Sequence, residues 1–432
     1  MSRLLQTSLI AGGKPAPRVT GGEGARIHLE DGRWMLDGSN TGGPLGHRHP
    51  KMIEALRHAA ELPVINEGWP WIEREQAGDE LFETCFQGED WAGAVRFCLS
   101  ASEANDMALS FAQAFTGRQA IGTRERAYHG FAGLSRSVTV QPQWHGGLAV
   151  LDQPSKPAPE PFPVRQLPAP LGAKFGDPGT NQTAAERLAG AADLLSDVAA
   201  TVIDYTQGGY YHDPEYQDIA ARAIRQAGSL WIADETVTGA GRFGQMFTFQ
   251  AGSERPDIVV MGKGLAGGGS PVGAVIFSQK LVDGLKGMSW RNYSTFRGHP
   301  VTMACVRAYL KALKEEDLLA HVRAMEKVVK ARMADIFARH PSVLRIDGNG
   351  LHWTVELHGP DWRTFYANTS DVPLATKVVA RAAEQGVMLA TSGEETQIFM
   401  APPLIVTEAE IHQILDALEA GLEVADALYE AA

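Results

Sequence analysis

Ile258-Val259-Val260-Met261-Gly262-Lys263-Gly264-Leu265-Ala266-Gly267-Gly268-Gly269 runs from an apolar strand straight into a glycine-rich turn that holds one lysine. An apolar run this short, bounded by glycine, reads as a strand buried on both faces. Ser229-Leu230-Trp231-Ile232-Ala233-Asp234 is a second such run and ends in two acids, Asp234 and Glu235. Further strands are expected at 94–99, 200–204 and 272–277, with helices at 102–115 and 214–227. Strands that alternate with helices predict an α/β fold whose central sheet is mostly parallel and covered on both faces.

Outward from this centre the pattern changes. Residues 20–37 alternate and carry Asp-Gly turn signals, which predicts a β-hairpin. A helix is expected over 50–62 from Pro50, with Met52, Ile53, Leu56 and Ala59 on one face. Beyond about 315 come a helix at 318–339, short strands at 343–346 and 350–357, and helices at 374–385 and 408–427. The expected organisation is a large domain, 62–315, and a smaller α+β domain built from 1–61 and 316–432. The proline-rich stretch 153–170 is expected to be a surface loop or flap with no core element.

Composition limits the function classes. The 432 residues are 44% hydrophobic and 21% charged, enough for a core of normal size. A formal net charge of -12 without a basic patch argues against nucleic acid. The three cysteines, Cys85, Cys98 and Cys305, have neither disulfide-framework nor zinc spacing, so no metal site is expected. No apolar run reaches a membrane-spanning length of about 18 residues, and the N-terminus lacks a secretory h-region. The expected compartment is the cytoplasm.

In an open parallel sheet the ligand binds beyond the carboxyl ends of the strands. After strand 94–99, Ser100-Ala101-Ser102 opens a helix whose N–H groups form an anion cup, although Ser102 also fits a plain N-cap. Ala127-Tyr128-His129-Gly130 offers an aromatic ring to stack on a flat ligand, and equally a packing pair. Asp234 ends its strand where a carboxylate holds a ring nitrogen protonated. Lys263, enclosed by glycines, has the desolvated setting of a Schiff-base lysine. Tyr293-Ser294-Thr295-Phe296-Arg297-Gly298-His299-Pro300 supplies hydroxyls and backbone for a phosphate. An anion cup, a stacking ring, a carboxylate and an enclosed lysine are together the parts of a pyridoxal-phosphate site.

These motifs, with Leu45-Gly46-His47-Arg48-His49-Pro50, the block 233–244, and Ala401-Pro402-Pro403-Leu404, resemble the class III aminotransferases over roughly residues 20–425. The resemblance implies a fold-type I transferase that uses pyridoxal 5'-phosphate. It implies that Lys263 binds the cofactor aldehyde and shuttles a proton, and that Asp234 pairs with the pyridine nitrogen. By the same likeness Tyr128, beside His129, stacks on one ring face and Thr236 replaces a valine on the other. Ala101 and Ser102 would bind phosphate, and Thr295 would reach the phosphate of a neighbouring subunit in a homodimer. The implied reaction moves an amino group from an amine or amino acid to a keto acid or aldehyde. An aminomutase or epimerase on the same scaffold is the alternative.

Two departures bear on substrate. Val237 stands where the family has a glutamine that contacts the ring hydroxyl. Phe399 stands where it has an arginine that clamps substrate carboxylates, and the glutamate that gates this arginine falls at Gly209. The pair is lost together, as expected when a lone buried charge is costly. Trp69, Trp71, Tyr210 and Phe399 are the candidates for an apolar substrate wall instead. Gly239-Ala240-Gly241-Arg242-Phe243-Gly244 matches a dinucleotide-binding fingerprint, but no helix is expected after it.

Overall fold

The computed structural model describes residues 18–141, 144, 160–359, 372–392 and 395–429. Its centre is a seven-stranded sheet. In chain order its strands are β4 (Ala92–Cys98), β5 (Ala120–Arg124), β6 (Val164–Leu167), β8 (Val198–Asp204), β9 (Leu230–Asp234), β10 (Ile258–Gly262) and β11 (Gly273–Ser278). They lie side by side as β4-β11-β10-β9-β8-β5-β6, with β11 alone running against the rest. The carboxyl ends of β4, β5, β8, β9 and β10 therefore open on one edge.

The apolar runs alternate between two cores. Trp231, Ala233, Val259 and Met261 join one cluster. Leu230, Ile232, Ile258 and Val260 face another, together with Met107, Ala108 and Phe111 of helix Ala101–Thr116. Burial on both faces is why these strands read as unbroken hydrophobic runs. Gly117 closes that helix in the left-handed conformation, at φ 72°. Asp213 caps helix Pro214–Gln226, accepting N–H groups of Glu215 and Tyr216.

Two smaller sheets flank this unit. β1 (Val19–Glu23), β2 (Arg26–Leu29) and β3 (Trp34–Asp37) form an antiparallel meander, which extends the expected hairpin by one strand. Val387–Met388 (β14) pairs with β3, so chain from near the carboxyl terminus completes an N-terminal sheet. The third sheet orders Ala390–Thr391 (β15), Gln397–Met400 (β16), His352–Leu357 (β13), Val343–Asn349 (β12) and Phe175–Gly176 (β7). β7 comes from the middle of the expected large domain yet adds to this C-terminal sheet.

Two expectations are corrected. Residues 153–159 of the proline-rich stretch lie outside the described residues, but Val164–Leu167 is a strand, not a loop. It occupies the sheet edge, where Pro163 just outside the pairing costs no ladder hydrogen bond. Helix Pro50–Ala59 buries Met52, Ala55 and Ala59, while Leu56 is exposed. The inward stripe follows i, i+3, i+7 and leaves Leu56 to one side of it.

Candidate active site

The strand ends converge on a cleft of about 480 Å³. Its wall includes Ala101 and Ser102 after β4, Tyr128 and His129 after β5, Asp204 to Gln207 after β8, Asp234 and Thr236 to Thr238 after β9, and Lys263 after β10. Seven of the residues singled out in the sequence thus share one cavity: Ala101, Ser102, Tyr128, His129, Asp234, Thr236 and Lys263.

Ser100, not Ser102, caps the helix, its Oγ accepting the Glu103 N–H at 3.2 Å. The N-cap reading of Ser102 is corrected. Ser102 sits in the first turn, where its Oγ accepts the Phe131 N–H at 3.3 Å and keeps its own hydrogen for a ligand. The first N–H groups of a helix have no intrahelical acceptor, and the dipole there favours an anion. Gly130, at φ 131°, lets the backbone close over this point; a Cβ there would stand 2.4 Å from Ser102 Oγ.

Asp234 is buried, and burial pushes its pKa up. Hydrogen bonds from His129 Nδ1 at 2.8 Å and Asn105 Nδ2 at 2.9 Å outweigh that and hold the carboxyl below its ordinary range. Its other oxygen accepts the Thr236 N–H at 3.0 Å. Beneath it, His129 Nε2 lies 3.2 Å from Thr123 Oγ1 and 3.9 Å from Asp204 Oδ2. Arg124 Nη2 closes the row on Asp204 Oδ1 at 2.5 Å. Basic and acidic groups therefore alternate from Arg124 through Asp204 and His129 to Asp234.

Lys263 opens a short 3₁₀ turn, Lys263–Ala266, with φ at 41°. Positive φ in a lysine is strained and fixes its side chain at the cleft floor. Burial lowers its pKa, while the negative charges of Asp234 and Asp204 pull the other way. Gly262 gives the close approach, since a Cβ there would meet the Ala101 Cβ at 2.8 Å. Burial, then the charge of Asp234, raises the Tyr128 pKa. The Tyr128 ring meets Trp144 edge-on at 5.8 Å.

Lys263 also lines a second cavity, of about 390 Å³, shared with Tyr128, Thr206, Gln207 and Val237. Phe399 and His352 form its far wall. Gly209 has φ 71°, and a Cβ there would stand 2.7 Å from Gln397 Nε2 and 3.0 Å from Thr354 Cγ2. A glutamate at that position would have to take a left-handed backbone and displace the Gln397 amide, which donates to the Gly208 carbonyl at 2.9 Å. No arginine lines either cavity among the described residues.

Several expected wall residues stand elsewhere. Trp69 is 65% exposed and outside both linings, on a turn whose carbonyl Arg74 holds at 3.0 Å. Trp71 packs against the large core beside Arg74. The Tyr210 ring has the guanidinium groups of Arg126 and Arg345 over it, at 5.2 and 4.7 Å from its centre. Thr295 is exposed and lines neither cavity, so a contact with a cofactor would have to cross a subunit boundary. The glycine fingerprint 239–244 is a turn whose Arg242 is buried on the carbonyls of Leu351, Asn40 and Pro402.

Sequence reasoning missed Asn105 and His352. Asn105 lies three residues after Ser102, on the same helix face, and that spacing was a usable signal. His352 had none, because its cavity is assembled across two sheets.

The whole arrangement defines a fold-type I pyridoxal-phosphate transferase. The class III aminotransferase model matches residues 12–422, and the chain belongs to that family. It is 33% identical to the acetylornithine aminotransferase of Mycolicibacterium smegmatis, over 96% of this chain and 95% of that one. Solved S-selective transaminases from Arthrobacter sp. and Bacillus megaterium superpose with a TM-score of 0.90 each. They are 25% and 26% identical, each cover 98% of this chain, and are themselves covered to 96% and 97%. The protein is a pyridoxal-phosphate-dependent aminotransferase acting on amino and keto substrates.

The cleft's own chemistry fits that cofactor. Thr236 Oγ1 and Asp204 Oδ2 are buried without hydrogen-bond partners, as groups are that await a ligand or water. Asp234 keeps its charge in a dry place, and the helix start faces the same space. No helix is long and apolar enough to cross a membrane among the described residues, nor do three metal-binding side chains cluster there.

Proposed function

We propose that Lys263 is the covalent anchor and proton carrier of an aminotransferase whose substrate needs no carboxylate clamp. Pyridoxal phosphate, when bound, supplies an aldehyde for the amine and a ring that draws electrons from the reacting carbon. Ala101 and Ser102 would hold its phosphate at the helix start. Asp234 would keep the ring nitrogen protonated, with His129 acting through Asp234 as a positioning residue. Tyr128 and Thr236 would pack on the two ring faces.

Lys263 Nζ then does the proton work. Its lowered pKa puts more of the amine in the neutral form, which takes a proton from the carbon that bears the substrate nitrogen and later returns it. The amine shuttles one proton and is regenerated unchanged.

One observation carries the substrate reading: Phe399 closes the cavity beyond Lys263, and no arginine lines it among the described residues. An apolar wall favours primary amines over amino acids, because an unpaired carboxylate there would be desolvated without compensation. The fold's likeness to S-selective transaminases is consistent with it. The working unit of this reading is a homodimer, in which Thr295 and the exposed Trp69, Tyr293 and Phe296 face the partner's cleft. The compartment is the cytoplasm, in keeping with three buried, unpaired cysteines.

A panel of amines and amino acids tests this, each mixed with the loaded enzyme and followed by loss of the bound cofactor's visible absorbance. Carboxylate-free amines are expected to react fastest. Efficient reaction with glutamate and none with simple amines overturns the reading.

A further inference from the structure

His352 and Thr354 sit two residues apart on β13 and so face the same side of the sheet. Thr354 pairs across the ladder with Phe399. The His352 ring lies 5.8 Å from the Phe399 ring, and both line the cavity that Lys263 floors. Behind this wall Tyr211 Oη lies 2.5 Å from His352 Nδ1 and 2.9 Å from Thr354 Oγ1. His352, Tyr211 and Thr354 are all buried. Phe399, Val237, Ala390 and Ala401 make one part of the wall apolar, while hydroxyls and amides such as Thr41, Thr206 and Gln207 line another; beside Phe399 the polar group is the His352 imidazole, backed by two hydroxyls.

The three groups form a hydrogen-bonded row with two complete arrangements. In one, Thr354 donates to Tyr211, Tyr211 donates to His352 Nδ1, and Nε2 carries the ring proton. In the other, Nδ1–H donates to Tyr211, Tyr211 donates to Thr354, and Nε2 is a bare acceptor. Either way His352 Nδ1, Tyr211 Oη and Thr354 Oγ1 each keep a partner within the row, and no net charge appears. Burial, with Arg242 and Lys263 nearby, lowers the His352 pKa to about 3, so the ring stays neutral. Burial likewise keeps Tyr211 protonated.

We infer that His352 is the specificity-determining residue of the substrate cavity, presenting through Nε2 a neutral contact, donor or acceptor by turns, to a hydroxyl on the amine or carbonyl substrate. The inference rests on the reading that the cavity beside Phe399 is the substrate's. A hydroxyl is the group that both gives and takes a hydrogen bond, and so can meet either state of the row. A two-stage aminotransferase admits an amine and a carbonyl compound in turn to one cavity. A contact that changes polarity without changing charge serves both. A neutral imidazole offers a carboxylate no counter-charge, which accords with a lining that holds no arginine among the described residues.

The test uses two matched pairs: 3-aminopropan-1-ol against propan-1-amine, and homoserine against 2-aminobutyrate. Single-turnover rates and apparent dissociation constants are read from the cofactor absorbance, in wild type, His352→Phe and Tyr211→Phe. Within each pair the hydroxylated member is expected to react better by roughly three- to tenfold in wild type, the worth of one neutral hydrogen bond. His352→Phe should bring that ratio to near one, and Tyr211→Phe should lower it, chiefly through the dissociation constant. An unchanged cofactor spectrum in both variants reports an intact fold. As a second readout, the ¹⁵N signal of His352, assigned by its loss in His352→Phe, should shift on adding 3-aminopropan-1-ol and less on adding propan-1-amine. A wild-type ratio near one, or a ratio that survives His352→Phe, overturns the inference. The comparison between pairs answers a different question: amino acids reacting faster than amines sinks the Phe399 reading, while the ratio within each pair still judges His352.

Discussion

His129 Nδ1 lies 2.8 Å from Asp234 Oδ2 with both side chains in the core beneath the cleft. The hydrogen bond is one of those that let a buried carboxylate keep its charge. His129→Leu removes it, so burial should win and the Asp234 pKa should rise. Because the negative Asp234 would hold the ring nitrogen, pyridoxal phosphate should bind more weakly, by roughly tenfold or more for one lost bond to a charged group. The loss should deepen as pH falls, since protonation then reaches a carboxyl whose pKa has moved up. Absorbance titrations with the cofactor at pH 6 and pH 8 measure this; equal affinities for wild type and variant would count against the role.

Lys263→Ala should abolish turnover, by roughly a thousandfold or more, because the side chain is asked to be both anchor and proton carrier. The phosphate contacts at Ala101 and Ser102 do not involve Lys263, so the variant should still take up the cofactor, now as the free aldehyde. Its spectrum should lack the long-wavelength band that borohydride removes in wild type. Retention of that band, or of full turnover, would show that another amine does the work.

Phe399→Arg puts a positive group in the cavity wall without an acidic partner, since position 209 is a glycine. The guanidinium should then be available to a substrate carboxylate, and the rate ratio of glutamate to propan-1-amine should rise about tenfold or more. The same unpaired charge, set beside the ring of His352, should lower the melting temperature by a few degrees. Calorimetry and single-turnover rates follow the two effects separately. A ratio that does not move would mean that residue 399 does not meet the substrate.

Much of this was legible in the sequence for a physical reason. Strands such as Leu230–Asp234 and Ile258–Gly262 are buried on both faces, so their composition alone announces them. Gly117, Asp213 and Pro50 mark helix ends by local chemistry, within a residue or two of where the helices stop or start. What escaped depends on distant chain. Val164–Leu167 looks like linker because prolines surround it, and only the edge position next to β5 makes it a strand. Asn105 and Asp234 meet across 129 residues of sequence. The row from Arg124 to Asp234 joins three strand ends, and no local pattern encodes it. Trp69 shows the converse, since a tryptophan reads as a wall residue whether it lines its own chain's cavity or, as here, stands exposed outside it.

Glu235, next to Asp234, makes the opposite bargain with burial. Its carboxylate accepts the Phe249 N–H at 2.9 Å and the Thr238 hydroxyl, yet burial dominates and raises its pKa from 4.5 to about 7. For an acid whose pKa is raised on folding, the folded state holds its proton where the unfolded chain has lost it. Stability from this group is therefore full below about pH 4.5 and falls as pH rises to about 7, by on the order of 3 kcal/mol. Glu235→Gln keeps an oxygen for the Phe249 N–H and carries no charge at any pH. The variant should thus lose to wild type at pH 4.5, where the protonated acid makes the better fit to Thr238, and gain on it steadily up to pH 8. Urea denaturation of both proteins at pH 4.5, 6 and 8 gives the difference directly, with the contributions of Asp234 and Lys263 cancelling between them. A stability difference that stays flat across that range would mean that Glu235 titrates as an ordinary surface acid and that solvent reaches the carboxyl end of β9.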